Sequence, residues 1–282
     1  MFVSEKLVFL ELHKTGGSHI GHWLRQTLGG EQVGKHNRLA PELRDRFIVG
    51  SIRNPWDWYV SLWAYGCSSR GSVWRQTIDG VNLRYYREQL AAEMGRANVG
   101  VQTLLRQAWS DLRKDQNAWI DCYRDSNDAA RFRRWLNRVL NGGHALDLRE
   151  GFGFSAVSQH SGLMTYRYLK LFTDLGDALY SDPRLGTTQG MRSTLEERFL
   201  LNHCIRSESL EPDLVEAITN AGYELSDTQR SAILESGKQK VNASKRNTTG
   251  FYYDAQTRDL VAEREQLIIE QHRYAAPELD GH

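Results

Sequence analysis

The run His13-Lys14-Thr15-Gly16-Gly17-Ser18 combines a cation, hydroxyls and two adjacent glycines. Glycines let a backbone approach a ligand closely, and Lys14 adds a full charge. Thr15 and Ser18 add hydroxyl donors. Such a set suits an anion, above all a phosphate-like group. A second run, Arg53-Asn54-Pro55-Trp56-Asp57-Trp58-Tyr59-Val60-Ser61, offers a guanidinium fork and, further on, a hydroxyl. Those two groups can share a phosphate. Taken singly, each run also reads as something plainer: a βα turn with a solvated lysine, and a surface arginine followed by a helical serine.

The flanking residues supply the elements that would hold these groups. Residues 6–12 (KLVFLEL) read as a buried strand. Ile20, Trp23, Leu24, Thr27 and Leu28 share one face of a helix over 19–28, which Gly29-Gly30 ends. A strand running into a glycine turn and a helix N-terminus is an anion site, because unpaired N–H groups and the positive end of the dipole meet there. Residues 47–52 (FIVGSI) read as a second strand, and Pro55 opens the next helix. Arg53 then stands at the C-terminal end of a strand, where open α/β sheets bind ligands. The spacing further predicts strands at 166–172 and 199–205, a helix over 211–222, a polar loop at 241–250 and a closing helix over 254–273. Strands alternating with helices imply an α/β fold with a mostly parallel sheet covered on both faces. No linker composition divides the chain, which predicts one domain with a helical insertion at about 67–160.

Composition narrows the function. In 282 residues, 36 Lys and Arg balance 35 Asp and Glu, for a net charge of +1. That balance argues against a general nucleic-acid binder. No apolar run reaches the roughly 18 residues a membrane helix needs, and the short apolar run near Met1 does not form a signal peptide. A cytoplasmic protein is expected. Cys67, Cys122 and Cys204 are odd in number and widely spaced, which predicts inert thiols rather than a disulfide framework. The Walker pattern GxxxxGK[ST] is missing, since Lys14 precedes the glycines.

Together, KTGGS after the first strand and RNPxxxxxS after a later one resemble the sulfotransferases that use 3'-phosphoadenosine-5'-phosphosulfate (PAPS). The resemblance is closest to the carbohydrate and Golgi-type branch and its bacterial relatives. It covers residues 6–62 and 198–274 and is silent on 67–190. CIRSESLEPDL (204–214) looks like the family's strand ending in Arg-Ser-Glu, and VNASKRN (241–247) like its closing loop. The resemblance implies a P-loop-like three-layer fold. It implies that Lys14, Thr15, Gly16, Gly17 and Ser18 grip the 5'-phosphosulfate and that Arg53 and Ser61 grip the 3'-phosphate. Ser244, Lys245 and Arg246 are implied as further cofactor contacts. His13 stands where a proline is common, and Trp58 where a basic residue often appears.

The implied reaction moves a sulfuryl group to a hydroxyl or amine of a saccharide, glycolipid or small metabolite, leaving 3'-phosphoadenosine 5'-phosphate (PAP). No metal is expected. Lys14 would stabilise developing charge. His36, between the two cofactor runs, is the first candidate for the base, with a solvated loop histidine as the alternative. His160 is a secondary candidate, and Glu11 and Glu208 are alternative carboxylates. His13, His19 and His22 lack the partners of a metal site. Arg84, Arg87, Arg96, Trp74, Trp109 and Trp119 belong to the insertion that would shape the acceptor site. A nucleotide-dependent kinase and a catalytically silent nucleotide-binding module are the rival readings.

Overall fold

The structure is a computed structural model that describes residues 1–95, 98–237 and 246–280. The chain folds as two compact units. The first comprises Met1–Asn54, Lys170–Asp174 and Arg198–Ser244; the second comprises Pro55–Leu169, Leu175–Glu197 and Lys245–His282.

The first unit holds the one sheet found among the described residues. Its strands are β1 (Phe2–Val3), β2 (Leu7–Leu10), β3 (Glu31–Gln32), β4 (Phe47–Ile52) and β5 (His203–Arg206), in spatial order β3-β1-β2-β4-β5. The strands β2, β4 and β5 are parallel, whereas β1 runs antiparallel to β2 and β3. All of β2 is buried, as its uninterrupted apolar sequence requires of a central strand. Leu10 pairs with Gly50, and Ile52 with Arg206. That register brings the C-terminal ends of the three parallel strands to one end of the sheet.

Helix Gly17–Leu28 follows β2, and helix Leu210–Asn220 follows β5. Their apolar faces close one core. Ile20 and Leu24 from the first helix, and Leu214 and Ile218 from the second, pack with Phe9, Val49 and Ile205 of the sheet. Burial of this kind is worth about 1.5–3 kcal/mol per large side chain.

The second unit is helical. Pro55 opens the helix Pro55–Cys67, where its fixed φ and missing N–H cost nothing. Asp128 caps the helix Ala129–Leu140, and a capping box of Asp254 and Thr257 starts the helix Ala255–Arg264. Aromatic rings fill the space between: Phe132 meets Trp63, Tyr252 and Tyr253 edge-on at 5.0–5.5 Å between centroids. Glu150 and Glu265 are among the carboxylates buried in this unit. Glu150 pairs with the buried guanidinium of Arg167 at 2.6 Å. Glu265 is wholly buried and accepts from Tyr59, from the backbone N–H of Met164 and from both the N–H and hydroxyl of Thr165.

Several sequence expectations are corrected. Residues 166–172 belong to a helix, Leu163–Phe172, and not to a strand. Almost every residue in it is buried, so its apolar content carries no helical stripe. The strand expected at 199–205 is confined to His203–Arg206, with only an isolated bridge between Thr173 and Phe199 before it. The expected loop at 241–250 ends in a short helix, Thr249–Tyr252, and residues 241–245 lie outside the described residues. The closing helix is two helices, Ala255–Arg264 and Gln266–His272, parted at Glu265. The strands β1 and β3 carry no pattern long enough to read. No helix among the described residues is long and apolar enough to cross a membrane.

Candidate functional site

The candidate site is built where β2, β4 and β5 end together. The chain leaves β2 through Glu11 and Leu12 and turns at Lys14, whose φ is 62°, and again at Gly16, whose φ is 85°. Both lie in the left-handed region. Lysine adopts it at a cost of order 1 kcal/mol, while glycine adopts it freely. Such tight turns are where backbone N–H groups converge on an anion. At Gly16 a side chain is also excluded by contact, since a Cβ would stand 2.4 Å from Leu210 Cδ1.

Gly16 is the N-cap of the helix Gly17–Leu28. It offers no side chain to the helix end, and the first turn holds no acidic residue. The positive end of the dipole is thus left uncompensated by the helix's own side chains. Ser18 is exposed on this first turn, and Lys14 and Gly17 are half-buried. Gly17 also makes room for Glu11: a Cβ there would lie 2.3 Å from Glu11 Cγ.

Thr15 behaves differently from its neighbours. It is completely buried, and its hydroxyl donates to Leu12 O at 2.7 Å and meets Ser51 Oγ at 2.6 Å. The side chain therefore ties the turn to β4 and faces inward. Ser51, a hydroxyl inside the apolar run FIVGSI, is the sequence signal for this tie, and reading that run only as a strand missed it.

Arg53 leaves the end of β4 and donates from Nη1 to Lys14 O at 3.2 Å. Arg53 and the glycine turn are thus brought together. Next to it, Asn54 N–H donates to Glu208 Oε1 at 2.6 Å, and Ser207 Oγ donates to Ile52 O at 3.0 Å. Glu208, expected as an alternative carboxylate, anchors the end of β4 from the end of β5.

His36 joins the same region. Its Nδ1 lies 2.8 Å from Glu11 O. A carbonyl only accepts, so Nδ1 carries the hydrogen, and in the neutral ring Nε2 carries the lone pair. Its ring stacks on that of His13, with centroids 3.4 Å apart and planes 12° from parallel. His36 itself has a left-handed φ of 56°. The sequence suggested no role for His13; here it is the platform for the candidate base.

Ser61 and Arg246 belong to the second unit. Ser61 stands one helical turn after Asp57 on the helix Pro55–Cys67, so the two share a face. Arg246 Nη2 pairs with Asp57 Oδ1 at 2.5 Å, and Thr249 Oγ1 donates to the same oxygen at 2.7 Å. Arg246 is therefore drawn to the helix face that carries Ser61. Ser244 and Lys245 lie outside the described residues, as does Arg96.

The remaining candidates are spread. His19 Nε2 lies 3.5 Å from Glu211 and 3.2 Å from Ser236 Oγ, and burial lowers its pKa below the usual imidazole value. His160 is exposed at the end of a short helix, Val157–His160, in the second unit. No group of His, Cys, Asp and Glu that could hold a metal ion occurs among the described residues. None of the three cysteines is in a disulfide. Burial raises the Cys122 thiol and pushes those of Cys67 and Cys204 up to about 12, so none is a nucleophile at neutral pH. Trp119 is buried and Trp109 exposed in the second unit.

No protein-family model, curated protein or solved structure matches this chain.

Proposed function

We propose that the chain is a PAPS-dependent sulfotransferase of P-loop-like fold, with residues 67–160 as a helical insertion on the acceptor side. One observation carries the reading. A left-handed glycine turn opens an uncapped helix at the C-terminal end of a parallel sheet, and Arg53 bonds to that turn. This is the chemistry that a phosphosulfate and a neighbouring phosphate require.

PAPS supplies an activated sulfuryl group on a bridging oxygen that leaves with PAP. In this reading Lys14 and the backbone amides of residues 16–18 hold the 5' group and take up charge on the bridging oxygen. Thr15 contributes the shape of the turn rather than its hydroxyl. Arg53 and Ser61 are assigned to the 3'-phosphate. Arg246, held by Asp57, is assigned to cofactor binding, as are Ser244 and Lys245. The reading asks for no metal.

His36 is assigned as the base. Its Nε2 lone pair accepts the proton of an acceptor hydroxyl as the acceptor oxygen bonds to sulfur and the sulfur–oxygen bond to PAP breaks. Glu11 O and the His13 ring fix the tautomer and the plane of the imidazole. A saccharide, glycolipid or small metabolite with a hydroxyl or amine is the acceptor class.

Calorimetric titration tests the reading. PAP should bind at least about tenfold more tightly than AMP, as expected for an added charge-assisted phosphate contact. Arg53→Ala should erase that preference. ATP binding that requires magnesium, with no preference for PAP, would favour a kinase. PAP binding with no transfer to any acceptor would favour a silent nucleotide-binding module.

A further inference from the structure

The helix Val101–Arg113 in the second unit packs Leu104 and Ala108 against the core formed by Tyr85, Tyr86, Leu90 and Met94, yet leaves larger apolar side chains outside. Gln107 and Asp111 are buried, while Leu105, Trp109 and Leu112 are 63%, 58% and 68% exposed. The polar residues on the buried face have partners. Gln107 Nε2 donates to Leu146 O at 3.1 Å, and Ser110 Oγ donates to Asp147 Oδ1 at 3.3 Å. These bonds fasten the helix to the turn at residues 142–147. A cavity of about 380 Å³ lies there, lined by Arg106, Trp109, Arg113, Lys114, His144 and Asp147 among others. That volume is within the range of small-molecule sites.

The charges around the cavity are unequally committed. Asp147 accepts from Trp119 Nε1 at 3.0 Å and from His144 Nδ1 at 3.2 Å. Asp115 caps the helix Gln116–Cys122. Lys114 is paired with Asp111 at 2.8 Å and donates to Gln76 O. Lys114 is thus paired off by Asp111, while Asp115 and Asp147 are held by hydrogen bonds within the protein and keep their charge. Arg113 lies 4.3 Å over the Trp109 ring, and Arg106 lies 5.4 Å over the Phe154 ring. Neither guanidinium forms an ion pair with a carboxylate among the described residues. A neutral ring does not cancel a guanidinium's charge, so both arginines keep theirs.

We propose that this cavity binds a small organic oxyanion: a sulfonate, sulfate, phosphate or carboxylate group carried on a flat apolar body. Arg106 and Arg113 take the oxygens, and the exposed indole of Trp109 takes the body. His144 is locked in place by Asp147. The site lies wholly within the second unit and does not depend on sulfuryl transfer.

The test is a titration of the full chain with benzenesulfonate, followed by the indole N–H signals in NMR spectra. Trp109→Phe identifies the reporter signal. Benzenesulfonate should shift the Trp109 signal saturably, and benzyl alcohol should bind at least about tenfold more weakly. The double variant Arg106→Gln/Arg113→Gln should weaken benzenesulfonate by about tenfold or more, the scale of one charge-assisted hydrogen bond. An unchanged melting midpoint shows that this variant is folded. Equal binding of benzyl alcohol, or undiminished binding in the folded double variant, would overturn the proposal. Loss of binding in Lys14→Ala alone would place the anion at the glycine turn and overturn it as well.

Discussion

The imidazoles of His13 and His36 lie face to face, 3.4 Å between centroids, and the Nδ1–H of His36 is held by the carbonyl of Glu11. Two residues of the β2 exit thus fix the orientation of a histidine that the sequence places well downstream. Under the proposed function this arrangement has a kinetic consequence. His36→Asn, which tolerates the left-handed backbone, should lower kcat by about 10²–10⁴-fold, the range for a lost general base. PAP affinity in calorimetry should stay within about twofold of wild type, less than one weak hydrogen bond. An equal fall in PAP affinity would make His36 a binding residue instead.

The turn between β2 and its helix is packed against its own entry strand. Gly17→Ala drives a Cβ into Glu11 and should cost about 1–3 kcal/mol in urea denaturation. Removing the obstacle should restore the loss. The double variant Glu11→Ala/Gly17→Ala is expected to be more stable than Gly17→Ala alone. If it is not, the glycine is needed for backbone shape rather than for space.

Thr15→Val separates structure from ligand binding. It keeps the shape of the side chain and deletes the hydroxyl shared with Leu12 O and Ser51. The unmet buried partners should cost about 1–3 kcal/mol of stability. Thr15→Ser should recover most of it. Donor affinity under folding conditions should hardly change in either variant, because the hydroxyl faces the core. A large, selective loss of affinity would reassign Thr15 to the ligand.

Glu265 makes stability depend on pH. Full burial raises its pKa above the usual carboxylate value, against the pull of the Tyr59 and Thr165 hydrogen bonds. The folded state therefore holds its proton more tightly than the unfolded state. Its contribution is complete below the unfolded pKa, near 4.5, and is lost as pH rises through the raised folded value. Urea midpoints measured from pH 5 to pH 8 should fall less steeply in Glu265→Gln than in wild type. Parallel profiles would show that Glu265 keeps its ordinary titration.

The parts of the fold that the sequence disclosed are those with a single dominant local cause. FIVGSI forms β4 over the predicted residues, because an apolar β-branched run between polar neighbours has few alternatives. The helix after the glycines begins two residues earlier than its apolar stripe suggested. The helix Leu163–Phe172 was illegible for the opposite reason. Buried on nearly all sides, with Arg167 neutralised by Glu150 from a distant segment, it has neither a polar face nor an alternation. The break at Glu265 is equally silent in sequence, with no glycine or proline there. It is set by a carboxylate drawn toward Met164 and Thr165.

The candidate site divides along the same line. The glycine turn and Arg53 were legible from residue types and spacing. The inward turn of Thr15, the stacking of His13 on His36 and the tie from Asn54 to Glu208 were not. Each pairs residues that lie far apart in the chain or that share no side-chain periodicity, and only the folded sheet brings them into reach.

The parallel pairing of β4 with β5 sets the order in which the first unit can be completed during synthesis. Val49 waits for His203, so the sheet stays one strand short until residues 203–206 have left the ribosome. Until then β4 presents unpaired N–H and C=O groups along one side, a template for another chain. Long-range parallel pairing is also intrinsically slow. Ribosome-bound intermediates ending before residue 203 are thus the species most exposed to misassembly, and a holdase that shields β4 is the kind of assistance this topology calls for.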